Sequence, residues 1–446
     1  MKTIFITSFH VLVSRNILLS PLLGKLTDNG WRVVVIVPKK KEEYFKNTFS
    51  SPSIFVEGVT NKLNRLDSLI REFALASLRT RALEVMRNRN MGLENPRLQK
   101  VLFWAPTVRR LIPWFYGLVI SRHTFHEIFE KYKPDLLFST DVFSSNDCRW
   151  MLEAKAHKVK TVGMIRSWDN LISKGGFRIM PDILVSQNEI VKDEAIHLHN
   201  IKSSNVKVVG IPHYDNYLVK PECSRNDFLK EVGIPENKKY FVYAPLGDRI
   251  IKVGSIVKEH DYDDRMIKII DENLPDDSCL IVRFPPTDTV KVNKDNLSKR
   301  VVFMSPGIRF GDGVKGVRSS EMGYKDDLSL FYTLYYSNGV INPFSSLCID
   351  AVFLDRPVVI PSFDPKQVSY WESVSRLQEF EHFIPVMKSA GVKIAHNPLE
   401  LRQVLMTYYL NPEKDKEVRK RLAEIECFSR DGKSSERLYK VIRDII

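Results

Sequence analysis

The sequence predicts an α/β protein built from two doubly wound parallel-sheet domains that face each other across a cleft. Short β-branched runs alternate with amphipathic segments of helical period along most of the chain, in two series separated by a polar connector, Lys220–Lys239. With 446 residues, the chain is also longer than one hydrophobic core usually supports. We therefore place an N-terminal domain at residues 1–220 and a C-terminal domain at residues 221–446.

The first series opens with a βαβ unit. Its strands are Thr3–Thr7 and Arg32–Val37, and the amphipathic segment Arg15–Asp28 between them ends at Asn-Gly, a typical helix stop. A helix between two strands makes the strands parallel neighbours. The alternation continues with predicted strands at Asp135–Ser139, Thr161–Ile165, Asp182–Val185 and Val206–Val209, and with helices at Asn146–His157 and Asn188–His199.

The second series repeats this pattern. Its predicted strands are Tyr240–Ala244, Ser278–Arg283, Val301–Met304, Gly339–Ile341 and Pro357–Ile360. Three helices are expected to close this domain, at Pro398–Leu410, Pro412–Glu426 and Ser434–Ile446. The glycine-rich stretch Ser305–Lys325 is expected to be a long loop.

Residues 61–134 interrupt the alternation and are expected to form a basic helical insertion in the first domain. The segment Arg79–Arg122 holds nine basic and two acidic residues. Its net charge of +7 is more than half of the +13 carried by the whole chain. Trp104, Trp114 and Phe115 lie among them, a mixture typical of surfaces that touch anionic headgroups. We expect a cytoplasmic protein held peripherally at the inner face of the cell membrane. The alternative is a solvated basic face on packed helices.

Other features exclude several classes of protein. The five cysteines are widely spaced without a CxxC pair, which predicts reduced thiols and no disulfide framework or zinc site. The longest apolar run, Leu111–Ile120, is too short to span a bilayer, and the N-terminus lacks a signal-peptide cleavage site. P-loop, GxGxxG, HExxH and GxSxG motifs are absent, and the basic residues are not arranged as a nucleic-acid module. We expect neither a metal nor a nucleic-acid partner.

The strongest candidate ligand site directly follows the predicted strand Gly339–Ile341. Ser345 and Ser346 stand at a strand-to-helix turn, where free N–H groups and the helix dipole favour a pyrophosphate, and Asp350 follows one turn later. An ordinary N-cap role for either serine is the alternative. Arg283, at the end of another strand of this domain, is expected to bind a phosphate or to form a structural ion pair.

A second candidate site, the run RSWDNLISKG, follows the strand Thr161–Ile165. It therefore belongs to the carboxyl edge of the first sheet, where α/β proteins bind ligands. Ser167, Asp169 and Lys174 make this run unusually polar for a connector. Asp169 is a candidate catalytic carboxylate, and a structural turn capped by Asp169 is the alternative.

Four further residues follow strands of the first sheet. His10 and Asp141 are expected at the same sheet edge, and a histidine oriented by a carboxylate can act as a general base near neutral pH. A lone loop histidine is more often inert. Gly210 and His213, after the last strand of the first domain, are expected to face the cleft and bind the nucleotide. The alternative is a hinge that requires glycine and proline.

These motifs resemble those of the GT-B class of glycosyltransferases, whose two domains are Rossmann-like. More narrowly, the chain is similar to bacterial capsule and O-antigen biosynthesis proteins that carry Ser-Trp-Asp-Asn-Leu-x-x-Lys-Gly, here residues 167–175. Their Gly-x-Pro-x-x-Asp element matches Gly210, Pro212 and Asp215. Their Asp-Gly-Lys-x-x-x-Arg tail resembles residues 431–437.

A distant similarity extends to polymerising transferases. The Ser-Ser-x-x-x-Asp element at Ser345, Ser346 and Asp350 resembles that of CDP-glycerol glycerophosphotransferases and polysialyltransferases. Those enzymes usually show Arg-x-His-Pro after the second strand of the nucleotide domain, where this chain reads Arg283-Phe-Pro-Pro286. The missing histidine argues against phosphotransfer.

The resemblance implies a metal-independent enzyme, without a permanently bound cofactor, that transfers a sugar from a nucleotide-diphosphate donor. A UDP-sugar is the expected donor, and a surface polysaccharide or lipid-linked glycan is the expected acceptor. Ser345, Ser346 and Arg283 would hold the diphosphate, while a base in the first domain deprotonates the acceptor hydroxyl. Three alternatives share the architecture: a CDP-alditol phosphotransferase, a nucleotide-sugar 2-epimerase and a non-catalytic nucleotide-sugar-binding subunit of a glycan assembly complex.

Overall fold

The computed structural model describes residues 1–60, 63–89, 99, 106–247, 261–286, 290–310 and 320–446. The first domain contains seven strands: β1 (Thr3–Thr7), β2 (Arg32–Pro38), β3 (Ile54–Val59), β4 (Leu136–Ser139), β5 (Lys160–Met164), β6 (Ile183–Ser186) and β7 (Val206–Val208). They form one parallel sheet in the order β3-β2-β1-β4-β5-β6-β7.

The second sheet is also parallel throughout. Its six strands are β8 (Lys239–Tyr243), β9 (Ser278–Arg283), β10 (Val301–Met304), β13 (Gly339–Ile341), β14 (Val358–Pro361) and β15 (Lys393–Ala395). Two short strands, β11 (Ile308–Arg309) and β12 (Ser320–Glu321), form a separate antiparallel ribbon. The sheet order is β10-β9-β8-β13-β14-β15. The predicted fold class of two parallel-sheet α/β domains is confirmed.

Helices cover both sheets. In the first half of the chain they are α1 (Val11–Val13), a π-helix (Ser14–Leu18), α2 (Leu22–Asp28), α3 (Glu42–Phe49), α4 (Arg65–Ala76), α5 (Arg81–Arg89), α6 (Pro106–Val119), α7 (His126–Tyr132), α8 (Ser145–Ala156), α9 (Asn170–Ser173) and α10 (Glu189–His199). In the second half they are α11 (Arg225–Glu231), α12 (Tyr262–Asn273), α13 (Tyr324–Tyr335), α14 (Leu347–Phe353), α15 (Phe383–Lys388), α16 (Pro398–Leu410), α17 (Lys416–Cys427) and α18 (Ser434–Asp444). The 3-10 helices are Lys39–Lys41, Ser203–Asn205, Pro212–Leu218, Lys294–Asn296 and Val374–Glu379.

The segment after β1 differs from the single helix expected over Arg15–Asp28. It forms a π-helical turn and then a separate α2. Pro21 stands between them, and its missing N–H prevents a continuous helical hydrogen-bond pattern. The result matters for function because π-helical turns occur frequently at functional sites and this one carries Arg15 to the cleft.

The last helix returns to the first domain. Leu438, Tyr439 and Ile442 of α18 belong to the hydrophobic core on one face of the first sheet, although this helix was expected to close the second domain. Asp215 accepts hydrogen bonds from the backbone N–H groups of Ser434 (3.0 Å) and Ser435 (2.7 Å) at the start of α18. Capping by a side chain from the first domain therefore fixes the C-terminal helix there.

The insertion is helical in its described part and contacts the second domain. Arg81 at the start of α5 pairs with Glu379, and Arg89 at its end donates to the carbonyl of Glu372 (3.0 Å). Two arginines of the predicted basic surface thus bridge the domains. Trp104 lies outside the described residues.

Of the helices described, none combines the length and apolarity needed to cross a bilayer. The five cysteines are free thiols.

Candidate functional site

A cavity of about 70 Å³ lies between the two domains. The first domain lines it with Arg15, Arg166 and Trp168, and the second domain with Ser346 and Asp350. The carboxyl ends of β1 and β5 therefore face the turn after β13 across this space. Polar groups from both domains converge on one small volume, as a site for a charged ligand requires.

The turn after β13 holds one serine in local hydrogen bonds and the other at the cavity. The backbone N–H of Ser345 donates to Asn342 Oδ1 (2.7 Å), and its hydroxyl accepts a long bond from the N–H of Leu347 (3.5 Å). Ser346 occupies the N-cap position of α14 without any side-chain cap hydrogen bond, and it lines the cavity. The capping alternative therefore does not account for Ser346.

Arg15 is the cation that faces this turn. Its Nη2 lies 3.3 Å from Asp350 Oδ1, which also receives the hydroxyl of Tyr217 at 3.4 Å. Burial alone would lower the pKa of Arg15, but Asp350 and Tyr217 raise it above its usual value. Burial raises the pKa of Asp350, and Arg15 opposes this shift. Asp350 consequently orients Arg15, which presents positive charge to the cavity.

A second cavity, of about 180 Å³, lies in the first domain. The structure brings His10 and Asp141 together in its wall, with Arg166 and Lys174 beside them. Asp141 Oδ2 accepts a hydrogen bond from Arg166 Nε at 2.8 Å. Because Arg166 also lines the interdomain cavity, its side chain stands between the two spaces.

The hydrogen bond of His10 limits its use as a base. Its Nδ1 accepts from the backbone N–H of Leu12 (3.2 Å), as the N-cap of α1. A neutral imidazole whose Nδ1 accepts a hydrogen bond carries its proton on Nε2. General-base catalysis by His10 stays a prediction that requires release of the Leu12 bond.

Asp169 lines neither cavity, although Ser167 lines the first and both Ser173 and Lys174 line the second. Its carboxyl group is strongly acidic. Its carboxylate accepts from Ser173 Oγ (2.8 Å) and Asn170 Nδ2 (3.2 Å), and its side chain makes no cap hydrogen bond to the N–H groups of α9. Burial favours the neutral form, but the nearby charge of Lys174 and the serine hydroxyls outweigh it and lower the pKa to about 2. Such a carboxylate is a weak base and suits a role in orienting Lys174.

We predict that Asp169→Asn lowers kcat by about tenfold, less than the ~10²–10⁴-fold contributed by a general base. The amide keeps the shape and the serine contact but no longer holds Lys174 by charge. Steady-state kinetics checks this, with the melting temperature as control. Wild-type turnover would make Asp169 structural, whereas a loss above about 10³-fold would identify it as the base.

Besides Asp169, four predicted residues lie outside the lining of both cavities: Gly210, His213, Arg283 and Ser345. Gly210 has a φ of +83°, and a Cβ there would lie 2.5 Å from Ser434 Oγ, so it accommodates the start of α18. His213 is fully buried, 3.4 Å from Asp327, and burial lowers its pKa well below the usual value. Arg283 donates to Ser329 Oγ (3.1 Å), and burial lowers its pKa to about 10. Nucleotide binding by these residues stays a prediction.

The sequence analysis did not single out Arg15, Arg166 or Glu426. The first two follow strands of one sheet, so their position at its carboxyl edge was an available signal. Glu426 ends α17, and only the fold brings it to the interdomain cavity. Burial raises its pKa from 4.5 to about 7, and its buried Oε1 has no hydrogen-bond partner among the described residues.

Two parallel-sheet domains with a polar cavity between them are the architecture of the GT-B class, a fold that glycosyltransferases share with nucleotide-sugar epimerases. Within that class, residues 177–444 match the family model of CDP-glycerol:poly(glycerophosphate) glycerophosphotransferase. The match covers more than half of the chain, so the protein belongs to this family. Among curated proteins, none is significantly similar in sequence.

Solved structures support the fold. The UDP-GlcNAc 2-epimerase from Neisseria meningitidis, bound to UDP-GlcNAc, is 12% identical, with 100% of each chain covered and a TM-score of 0.56. Sucrose-phosphate synthase from Thermosynechococcus elongatus is 11% identical, with 100% of this chain and 99% of that chain covered and a TM-score of 0.53. The glycotransferase of kitacinnamycin is 10% identical, with 99% and 98% covered and a TM-score of 0.54. At these identities the likeness shows the GT-B fold alone.

Proposed function

We propose that the protein transfers a sugar from a nucleotide-diphosphate donor, with UDP as the nucleotide, to a surface polysaccharide or lipid-linked glycan. The observation that carries the proposal is the interdomain cavity, which Ser346, Arg15 and Arg166 line together. The binding of UDP-GlcNAc by a structural neighbour supports a nucleotide-sugar donor. Capsule or O-antigen synthesis is the pathway class that the motif resemblance suggests.

The cavity residues suit the leaving group of such a reaction. When the bond between sugar C1 and the β-phosphate oxygen breaks, negative charge develops on the diphosphate. Arg15 and Arg166 would stabilise that charge, and the hydroxyl of Ser346 would donate a hydrogen bond to it. Because these groups supply positive charge and a hydrogen-bond donor, we expect turnover without a divalent ion.

The second cavity suits the acceptor. Arg166 forms a wall common to both cavities, so an acceptor in the second would lie next to the donor. Ser144 and Ser145 offer hydroxyl groups to a glycan, while Arg71 and Lys174 match the phosphate of a lipid-linked acceptor. Asp141 or His10 would take up the acceptor proton, and Asp169 would act by orienting Lys174.

Family membership favours a second candidate, a CDP-alditol phosphotransferase. The two reactions break different bonds. Glycosyl transfer cleaves the C1–O bond and releases a nucleoside diphosphate. Alditol phosphotransfer cleaves the phosphoanhydride bond, moves the alditol phosphate to the acceptor, and releases CMP. The reading Arg283-Phe-Pro-Pro286, without histidine, is the feature that favours glycosyl transfer.

The released nucleotide therefore distinguishes the candidates. The purified protein is incubated with UDP-sugars or CDP-glycerol, a glycan acceptor and a chelator, and nucleotides are separated by chromatography. We expect acceptor-dependent release of UDP. Release of CMP from CDP-glycerol would establish the phosphotransferase, and an isomerised UDP-sugar without acceptor would establish the epimerase. Donor binding without any turnover would indicate the non-catalytic subunit.

For the membrane surface, we propose that α6 is the part that contacts lipid. Leu111, Trp114 and Leu118 are 59%, 67% and 64% exposed, and their spacing places them on one face of the helix. Arg110 and Arg122 are exposed near this face. Apolar side chains beside cations are typical of helices that lie in an anionic interface.

We predict that replacing Leu111 and Trp114 by serine abolishes sedimentation with phosphatidylglycerol vesicles at low salt. The wild type should bind these vesicles, bind phosphatidylcholine less, and dissociate at high salt because the charges are screened. Leu399→Ser, at a residue 65% exposed on α16, is the matched control. Equal binding to both lipids, or none to either, would leave α6 as a solvated face.

A further inference from the structure

A cluster of histidine and glutamate side chains lies at the edge of the first sheet opposite the two cavities. It consists of His123, His126, Glu130, Glu153 and His157. His157 immediately precedes β5, so the cluster belongs to the amino-terminal edge of the strands, whereas both cavities lie at the carboxyl edge. Neither cavity is lined by any member of the cluster.

Two neighbouring helices each contribute a histidine and a glutamate four residues apart. This spacing places His126 and Glu130 on one face of α7, and Glu153 and His157 on one face of α8 and its C-cap. His126 Nδ1 lies 3.2 Å from His157 Nε2. His157 Nε2 is 3.4 Å from Glu153 Oε1, and its Nδ1 is 3.6 Å from Glu130 Oε1.

The ligand atoms converge in two overlapping triads. His123, His126 and Glu153 form one, and His126, Glu130 and His157 form the other, with one ligand atom of each residue within 4.8 Å of the others. His126 is common to both triads. Imidazole nitrogens and carboxylate oxygens thus converge on two adjacent positions that share His126.

Packing holds the inner half of this cluster in place. The ring of His157 stacks on Phe129, with centroids 4.8 Å apart and planes 21° apart. The N–H of Phe125 donates to Glu153 Oε2 at 2.9 Å. Glu153 is 1% exposed, and its Oε1 has no hydrogen-bond partner among the described residues. A buried carboxylate oxygen without a hydrogen bond is costly, and this one faces His157.

We propose that the cluster is a structural zinc site, with His126, Glu130 and His157 as ligands and Glu153 as the buried carboxylate beside His157. Zinc binds imidazole nitrogen at ~2.0–2.1 Å in tetrahedral geometry, which separates two such nitrogens by about 3.3 Å. The hydrogen bond between His126 Nδ1 and His157 Nε2 holds these nitrogens 3.2 Å apart, close to this separation. Calcium and magnesium prefer all-oxygen sites, so two histidines favour zinc.

This site differs in kind from those that the sequence analysis excluded. Cysteine spacing and an HExxH motif are absent, and the ligands come from two segments joined only by the fold. Its distance from the cavities assigns the ion to stabilising the contact between α7 and α8. The proposal is therefore compatible with metal-independent transfer chemistry.

The test uses the full chain without a histidine tag, treated with a chelator and then titrated with ZnCl₂ by calorimetry. We expect one ion per chain and a zinc-dependent rise in melting temperature. His126→Ala should weaken zinc affinity by at least about tenfold, the loss produced even by removing an outer-sphere partner of a metal ligand. His126 is exposed, so this variant should keep the fold, and circular dichroism checks that.

A matched control and a second variant make the outcome decisive. The double variant His197→Ala/His396→Ala removes two exposed histidines outside the cluster and should bind zinc like the wild type. Glu130→Gln should weaken binding, since the amide is a poorer ligand. Absence of zinc binding, or equal affinity in His126→Ala and the wild type, would overturn the proposal. Equal binding of Mg²⁺ would also overturn it.

Discussion

Replacing Arg15 by alanine is expected to lower kcat/KM for the nucleotide donor by about 10²–10³-fold, the usual effect of removing one group that stabilises developing charge. The guanidinium lines the interdomain cavity and is held by Asp350 at 3.3 Å. Arg15→Lys keeps the charge but not the planar pair of donors, so it should recover only part of the activity. Donor titration and steady-state kinetics measure both variants.

Loss of folding has to be separated from loss of binding. Removing Arg15 leaves Asp350 buried without its partner, which typically costs ~3–5 kcal/mol. The double variant Arg15→Gln/Asp350→Asn removes both charges and should restore the melting temperature without restoring activity. Arg402→Ala, on the exposed side of α16, is the control and should behave like the wild type. A folded double variant with wild-type donor affinity would exclude Arg15 from the donor site.

The buried parallel strands were predictable because their sequences are continuous apolar runs. Thr3–Thr7, Ser278–Arg283 and Gly339–Ile341 were located to the residue. A parallel sheet covered on both faces requires such runs, so few other assignments fit. The strand Ile54–Val59 was missed because Glu57 and Gly58 interrupt its apolar pattern at the edge of the sheet.

The sequence also predicted part of the candidate site. His10 and Asp141 each follow a parallel strand, and the topology alone places them at one edge. The contact between Arg15 and Asp350 joins residues 335 positions apart, and it depends on how the two domains face each other. No local pattern reports that distance. A π-helical turn was likewise outside what a helical period can indicate.

The Gly-x-Pro-x-x-Asp element shows a different limit. Gly210 was expected to bind the nucleotide, and the structure shows that Gly210 and Asp215 contact Ser434 at the start of α18. A glycine with positive φ and a carboxylate that accepts N–H groups suit a phosphate loop and a docked helix equally well. The residue types therefore indicated a close contact to the backbone. They did not indicate whether a bound ligand or another segment of the chain makes that contact.

Glu426→Gln is expected to remove a pH dependence from both stability and donor binding. Burial raises the pKa of Glu426 from 4.5 to about 7, so between these pH values the native protein keeps a proton that the unfolded chain has released. Stability therefore falls as pH rises through this window, by about 1.4 kcal/mol per unit and about 3 kcal/mol in total. The amide cannot ionise, so the variant should gain stability relative to the wild type from pH 5 to pH 8.

Donor binding should follow the same titration. Above pH 7 the carboxylate adds negative charge to a cavity that must hold a diphosphate, so KM for the donor should rise in the wild type and stay level in Glu426→Gln. Asn188 Nδ2 donates to the Glu426 carbonyl (2.9 Å), and that backbone bond survives the substitution. Glu424→Gln, exposed on the same helix, is the matched control.

Thermal melts and KM values at pH 5, 6, 7 and 8 measure both effects. If the melting temperatures of the variant and the wild type change with pH by the same amount across this range, Glu426 is ionised throughout it. A pH-dependent gain in stability with an unchanged KM profile would instead place the carboxyl group in the core but away from the bound diphosphate.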